Sequence, residues 1–277
     1  MSTRKEDTAP ALLNVGCGHR RHPAWTNIDQ VCTGPGVIRC DLRQGIPYGD
    51  GRFDAVYHSN VLEHFGRVQA ETLLRECFRV LRVGGTLRIV VPDLEDIALA
   101  YLAALAAAER GEPGAPADHE WMTIELIDQM VRTAPGGDML RLLSNPLLSN
   151  RSFVEKRLGE EARADAAAGL SPAQSPMPAC SSSRWLRILR HPRLLREVAV
   201  KRLLGREYEL LQLGRFRAGG EVHQWMYDRL SLRRLLERVG FVNVRRVTGS
   251  ESAIPTWVTY NLEPPGPDLR MEATKQV

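Results

Sequence analysis

The chain has no paired-cysteine motif, no long apolar run and few aromatic residues, and each shortage closes off a class of protein. The five cysteines, Cys17, Cys32, Cys40, Cys77 and Cys180, are odd in number and form no CxxC pair. A disulfide framework and zinc are therefore both not expected, and no metal ligand is read from the sequence. A reducing, cytoplasmic compartment is the simpler setting. No uninterrupted apolar run reaches the length of a membrane span. The first ten residues, MSTRKEDTAP, are charged and lack the apolar core of a signal peptide. A net charge of +4 is too small to argue for nucleic acid without a local patch, and 6% aromatic content leaves few platforms for stacking bases. Hydrophobic content of 43% and charged content of 25% are those of an ordinary globular protein. A length of 277 residues suits one large domain, or a domain carrying a large insertion.

The informative stretch runs from Leu12 to Asp41. Leu12-Leu13-Asn14-Val15 reads as a buried strand ending on Gly16-Cys17-Gly18. Glycine has no Cβ, so backbone N–H groups can approach a ligand closely at such a turn. A second strand, Trp25 to Ile28, delivers Asp29, and a third, Gly36 to Cys40, delivers Asp41. Strands ending this way put polar groups along one edge of a parallel sheet, where open α/β sheets bind ligands. A carboxylate at the second position suits the two hydroxyls of a ribose. One at the third, Asp41 with Leu42 beside it, suits an adenine amino group. The spacing is too short for helical crossovers between these strands, which normally take about a dozen residues or more. One face of the sheet is therefore expected to lack its usual helices, and to be covered by a later insertion or by a second copy of the chain.

Two further motifs follow. Phe53-Asp54-Ala55-Val56-Tyr57-His58-Ser59-Asn60-Val61-Leu62-Glu63-His64-Phe65 reads as a fourth strand and its turn, and Leu81-Arg82-Val83-Gly84-Gly85-Thr86-Leu87 as the entry to a fifth. With the glycine turn, Asp29 and Asp41, they make the chain resemble a class I S-adenosylmethionine (SAM) dependent methyltransferase, of the group labelled methyltransferase type 11. The likeness covers Leu12 to about Leu94 and resumes from His223 to Glu263. It implies an α/β, Rossmann-like fold with a mostly parallel seven-stranded sheet and an antiparallel last strand. It also implies SAM as cofactor and methyl transfer to a small-molecule or glycan acceptor, on oxygen. Ser59 and Asn60 then fall where the family meets the methionine part of SAM, and His64 on the methyl side. His223, in a His-x-Trp-Met-Tyr-Asp run, and Asp93, after the fifth strand, are the other candidate bases. Trp225 and Tyr227 in that run suit either the core or a stacked ring, and His119 and Trp121 either helix packing or the acceptor site. The family's usual acid two residues before the first glycine is here Asn14, which can hydrogen-bond but carries no charge, and its third glycine is Arg20.

Taken in order, residues 1–10 read as a tail and 11–93 with 221–263 as the cofactor domain. Val68 to Arg82 has helical spacing and is expected to stop at Gly84-Gly85. Residues 94–220 read as a helical insertion that forms a lid or acceptor site, with helices expected over 94–109, 118–132, 137–148 and 152–168. Within it, 169–183 is a Ser-, Pro- and Ala-rich linker. The basic stretch 184–217 should be two amphipathic helices split by Pro192. Its arginines suit solvent, an anionic acceptor, or peripheral contact with a membrane surface. Ser231 is the expected cap of a helix ending at Gly240. Phe241–Val247 and Thr256–Glu263 are expected as the last strands, and 264–277 as a tail. Two rival readings stay open: a catalytically inactive scaffold or membrane-surface protein, and another nucleotide-dependent Rossmann enzyme such as a dehydrogenase. Arg21 stands where the dehydrogenase glycine motif would end.

Overall fold

The computed structural model describes residues 9–158, 192–263 and 266–276. Seven strands form one sheet in the order β3-β2-β1-β4-β5-β7-β6. They are β1 (Leu12–Val15), β2 (Trp25–Asp29), β3 (Val37–Arg39), β4 (Phe53–Ser59), β5 (Leu81–Val91), β6 (Phe241–Arg246) and β7 (Leu269–Lys275). The first five pair in parallel, and β7 runs antiparallel to both β5 and β6. No helix lies between β1 and β2 or between β2 and β3, as their spacing requires.

One face of the sheet is packed by α1 (Arg67–Val80) and by a helix near the C-terminus, α8 (Arg229–Val239). Leu73, Leu74, Cys77 and Val80 of α1 and Leu232, Leu235, Leu236 and Val239 of α8 recur at three- and four-residue spacing and enter the main core. α1 ends earlier than expected, and the chain passes from Val80 straight into β5. The Gly84-Gly85 pair therefore lies inside a strand. It forms an irregularity where Phe53 pairs with Leu81 but Ala55 pairs with Thr86. A Cβ on Gly85 would stand 2.8 Å from the Arg82 carbonyl and 3.0 Å from that of Asp54, so the position demands glycine. The cap of α8 is Asp228, not Ser231. The Asp228 carboxylate accepts from the Leu230 and Ser231 amides, both at 2.8 Å, while the Ser231 hydroxyl accepts from the Asp228 amide. That reciprocal box sets the helix start three residues earlier. Gly240 closes the helix at φ +112°, as expected.

The other face is covered by a part of the chain that was not expected to cover it. The segment between β6 and β7 does it, placing Ile254, Trp257, Tyr260 and Leu262 on Leu12, Trp25, Ala55, Tyr57 and Val90. Trp25, Tyr57 and Trp257 meet edge to face at 4.9–6.1 Å. This segment is not a strand: Trp257–Tyr260 is a 3-10 turn, entered and left through positive φ at Thr256 and Asn261. The final strand is instead β7, in what reads as a tail. Leu269, Met271 and Ala273 face the main core. Arg270 and Glu272 alternate with them, are also buried, and are paired with Glu263 and with Arg88.

The insertion after β5 contains α2 (Leu94–Glu109), α3 (Ala115–Val131), α4 (Gly137–Leu143) and a helical segment, α5, over 151–158. These elements have a core of their own around Ile97, Trp121, Met122, Met139 and Val154, with Met226 joining from the returning chain. Trp121 donates to Glu125 within that core, and His119 lies against Tyr101, so helix packing accounts for both. The expected linker 169–183 lies outside the described residues, as do 159–168 and 184–191. Of the basic stretch, α6 (Pro192–Leu204) and α7 (Glu207–Ala218) are described, and they divide at Gly205, φ +53°. Among the described residues no helix is long and apolar enough to cross a membrane.

Candidate active site

The turn after β1 shapes the first cavity. Gly16 adopts φ +64°, and a Cβ there would lie 2.5 Å from Val61 Cγ2, so only glycine fits both the backbone and the space. Gly18 adopts φ +51°. Its amide donates to Asp29 Oδ2 at 2.9 Å, and the Val31 amide donates to Asp29 Oδ1 at 2.8 Å. Two amides thus orient the Asp29 carboxylate, and each oxygen keeps a lone pair for a ligand. Asp41 caps the short turn Leu42–Gln44, accepting from the Arg43 amide and the Gln44 side chain. Together with Asn60 and His64, these residues line a cavity of about 270 Å³: Gly16, Gly18, Asp29, Asp41, Leu42.

A second cavity, of about 350 Å³, opens between the sheet edge and the insertion. Asn60 and His64 line both cavities, so the two meet there. Asn60 is held at φ +52° by the turn that leaves β4, and its amide donates to the Val90 carbonyl. Glu63, Asp93, Arg132, Arg157 and His223 also line the second cavity. His223 is brought across by main-chain bonds. Its amide donates to the Gln129 carbonyl of α3 at 2.9 Å, and the Gln224 and Trp225 amides donate to the Glu63 carbonyl at 2.7 and 3.2 Å. The His64 and His223 rings then meet edge to face with centroids 4.8 Å apart. Burial holds both imidazoles neutral. His223 is lowered to about 3 by burial, with His64 and Arg132 nearby adding to it, and His64 is lowered chiefly by burial.

Glu63 is the residue that sequence reasoning passed over. It has no exposure, neither carboxylate oxygen has a hydrogen-bond partner, and burial raises its pKa to about 8. The available signal was a charged residue inside Val61-Leu62-Glu63-His64-Phe65, a run otherwise facing inward. The cationic side chains in the wall are already committed. Arg157 pairs with Asp96 and Glu125, and Arg132 with Asp128 and Glu221.

Three expected cofactor residues line neither cavity. Asn14 is 1% exposed and spends its amide on the Arg20 carbonyl and on Asn27 Oδ1, locking β1 to β2. Cys17 turns inward, where burial and the nearby Asp29 push its thiol up to about 11. Ser59 is the last residue of β4, and its hydroxyl is buried beside the turn. Asp93 reaches the second cavity but has a structural task. One of its oxygens accepts from the Glu95 and Asp96 amides to cap α2, and the other accepts from Arg246 at 2.9 Å. Trp225 lies at the surface beneath Arg67, while Tyr227 joins the main core.

Residues 21–89 match the family model described as a methyltransferase domain. The match spans about a quarter of the chain; the sheet order and the antiparallel β7 are those of an α/β, Rossmann-like fold of the class I methyltransferase type. No curated protein matches the chain. Among solved structures, the cyclase SpnF is similar at 26% identity over 31% of this chain and 39% of its own, with a TM-score of 0.26. A SAM-dependent methyltransferase from Thermotoga maritima aligns over 97% of this chain and 84% of its own, at 12% identity and a TM-score of 0.39. A Burkholderia thailandensis N1-methyltransferase, solved with S-adenosylhomocysteine, aligns over 30% of this chain and 46% of its own, at 20% identity and a TM-score of 0.26. The chain thus spans less than half of the first of these.

Proposed function

We propose that the protein is a SAM-dependent methyltransferase that methylates an oxygen of a small-molecule or glycan acceptor. The observation that carries this is the meeting of two cavities at Asn60 and His64, one lined by the glycine turn and two carboxylates, the other lined in part by the insertion. The residues present fit the cofactor: a Cβ-free cradle at Gly16 and Gly18, and a carboxylate at Asp29 fixed by two amides with lone pairs to spare. Asp29 would hold the ribose hydroxyls, Asp41 and Leu42 the adenine side, and Asn60 the amino-acid end. When bound there, SAM supplies an electrophilic methyl group on a sulfonium.

The chain's part is alignment and proton removal. Holding an acceptor oxygen in line with the methyl group is worth about 7–11 kcal/mol of barrier. Removing the hydroxyl proton contributes about 10²–10⁴ in rate. His64 stands at the junction where that proton would be drawn off, with Glu63 and His223 beside it in the wall of the second cavity, each with an unpaired polar atom.

The test is calorimetric titration of the full chain with S-adenosylhomocysteine, with NAD and NADP as competitors. Binding that resists both dinucleotides and is lost in Asp29→Ala is expected. Folded protein that does not bind would refute the reading and favour an inactive scaffold. Displacement by a dinucleotide would favour a dehydrogenase-like enzyme.

A further inference from the structure

We propose that Glu63, His64 and His223 form a binding site for a divalent transition-metal cation at the inner end of the larger cavity. One ligand atom from each of the three side chains lies within 4.8 Å of the other two. A cation bonded at about 2.0–2.2 Å to each needs them somewhat closer, which rotation of the side chains supplies.

The second observation is that Glu63 and His223 are buried, His64 is half-buried, and each carries a buried polar atom without a hydrogen-bond partner. Glu63 is 0% and His223 5% exposed. Both Glu63 oxygens, His64 Nδ1 and His223 Nδ1 have no hydrogen-bond partner. Buried polar atoms are almost always paired, and orphans on three neighbouring side chains call for a shared partner. A cation is the partner that a carboxylate and two imidazoles accept together. The two cations in the wall, Arg132 and Arg157, form their ion pairs with other carboxylates and neither bonds to Glu63.

The donor set narrows the ion. Two imidazoles and one carboxylate favour zinc, manganese, iron, cobalt or nickel, whereas magnesium and calcium prefer oxygen ligands throughout. Zinc was not expected from the cysteines, which say nothing of a site built from one carboxylate and two imidazoles. Three protein ligands also leave coordination positions open, and these face the cavity of about 350 Å³. The main-chain bonds from Gln224 and Trp225 to Glu63, and from His223 to Gln129, hold the ligand-bearing segments together from positions remote in the chain.

The catalytic consequence rests on the methyltransferase reading, while the site itself does not. The cluster's lone pairs can be used on a proton or on a cation. With a cation there, the acceptor's hydroxyl oxygen binds it, the O–H bond breaks and the proton passes to solvent. The oxygen then forms its bond to the methyl carbon as the S–CH3 bond breaks, and S-adenosylhomocysteine leaves. The acceptor would be a hydroxyl compound able to ligate a metal.

The test counts metal on the full chain. Protein stripped with a chelator is dialysed against Zn²⁺, Mn²⁺ or Co²⁺ alone, and the bound metal is measured by elemental mass spectrometry. Visible absorption of the Co²⁺ form reports imidazole ligation. The expected result is one cation per chain. Affinity should fall about tenfold or more in both Glu63→Gln and His223→Gln and stay unchanged in the exposed-site control His19→Ala. Glu63→Gln keeps the side chain's shape, and a thermal melt confirms that each variant is folded. No bound cation, or a cation held equally well by folded Glu63→Gln and His223→Gln, would overturn the site. Metal retention without S-adenosylhomocysteine binding would keep the site and sink the methyltransferase reading, and the converse pattern would do the opposite.

Discussion

Replacing His58 by leucine should make the protein more stable and less sensitive to acid. His58 lies in β4 with no exposure, and neither ring nitrogen has a partner. Burial lowers its pKa to about 3 from the usual 6.5. Between those two values the unfolded chain binds a proton that the folded chain refuses. Stability is therefore complete above the unfolded pKa and is lost as pH falls from there towards the folded value. For this one residue the loss between pH 7 and pH 5 comes to about 2 kcal/mol. His223, also lowered to about 3, acts with the same sign. His64, also lowered by burial, adds to it, so His58→Leu should remove only the share of His58, about 2 kcal/mol, from the histidine-driven loss between pH 7 and pH 5. It should also raise stability at pH 7 by about 1–3 kcal/mol, because the unsatisfied ring nitrogens go. Urea denaturation followed by tryptophan fluorescence, at both pH values and constant ionic strength, measures each effect. Equal losses in the wild type and the variant would show that His58 is not held neutral by burial.

Two further substitutions test the frame around the site. Arg88 is fully buried, bonded to Glu263 at 2.5 Å and Glu272 at 2.8 Å, and stacked 4.5 Å over Trp257. Arg88→Met strands charge beneath the covering segment and should cost about 3–5 kcal/mol in denaturant unfolding; a loss below 1 kcal/mol would mean water reaches this pair. Gly16→Ala and Gly18→Ala share a left-handed backbone worth about 1–2 kcal/mol, but only Gly16 has Val61 Cγ2 2.5 Å from the new Cβ. Gly16→Ala should therefore be the less stable of the two in the same assay and should bind S-adenosylhomocysteine more weakly; equal effects would mean that Val61 yields freely.

The features legible in the sequence are those set by local demands. Gly16, Gly18 and Gly240 stand where the backbone needs positive φ, and such positions declare themselves. The short gaps between the first strands forbid helices by length alone. β7 was hidden because hydropathy cannot distinguish a solvated charge from a paired, buried one. Arg270 and Glu272 read as surface residues, and their partners Glu263 and Arg88 come from elsewhere in the chain. The covering segment was hidden for a related reason. Its apolar residues, Ile254, Trp257, Tyr260 and Leu262, follow neither a strand nor a helix period, since positive φ at Thr256 and Asn261 kinks the backbone around them.

The second cavity shows the same limit more sharply. Glu63 sits in a motif that was recognised, yet its role depends on what faces it. That answer lies in the Gln224 and Trp225 amides bonding to its carbonyl, which carry His223 onto His64. A sequence shows that both histidines exist and cannot show that they meet. It also shows Asn14 where a charged residue is expected, but not that its amide is already spent on Arg20 and Asn27. The unpaired polar groups lie instead in the turn after β4 and beside it, where Glu63 and His223 are buried and His64 half-buried. Leaving such groups unpaired in the interior is costly. The fold that holds them there with main-chain bonds has the form of a site awaiting a positively charged partner, and metal counting on Glu63→Gln tests that inference directly.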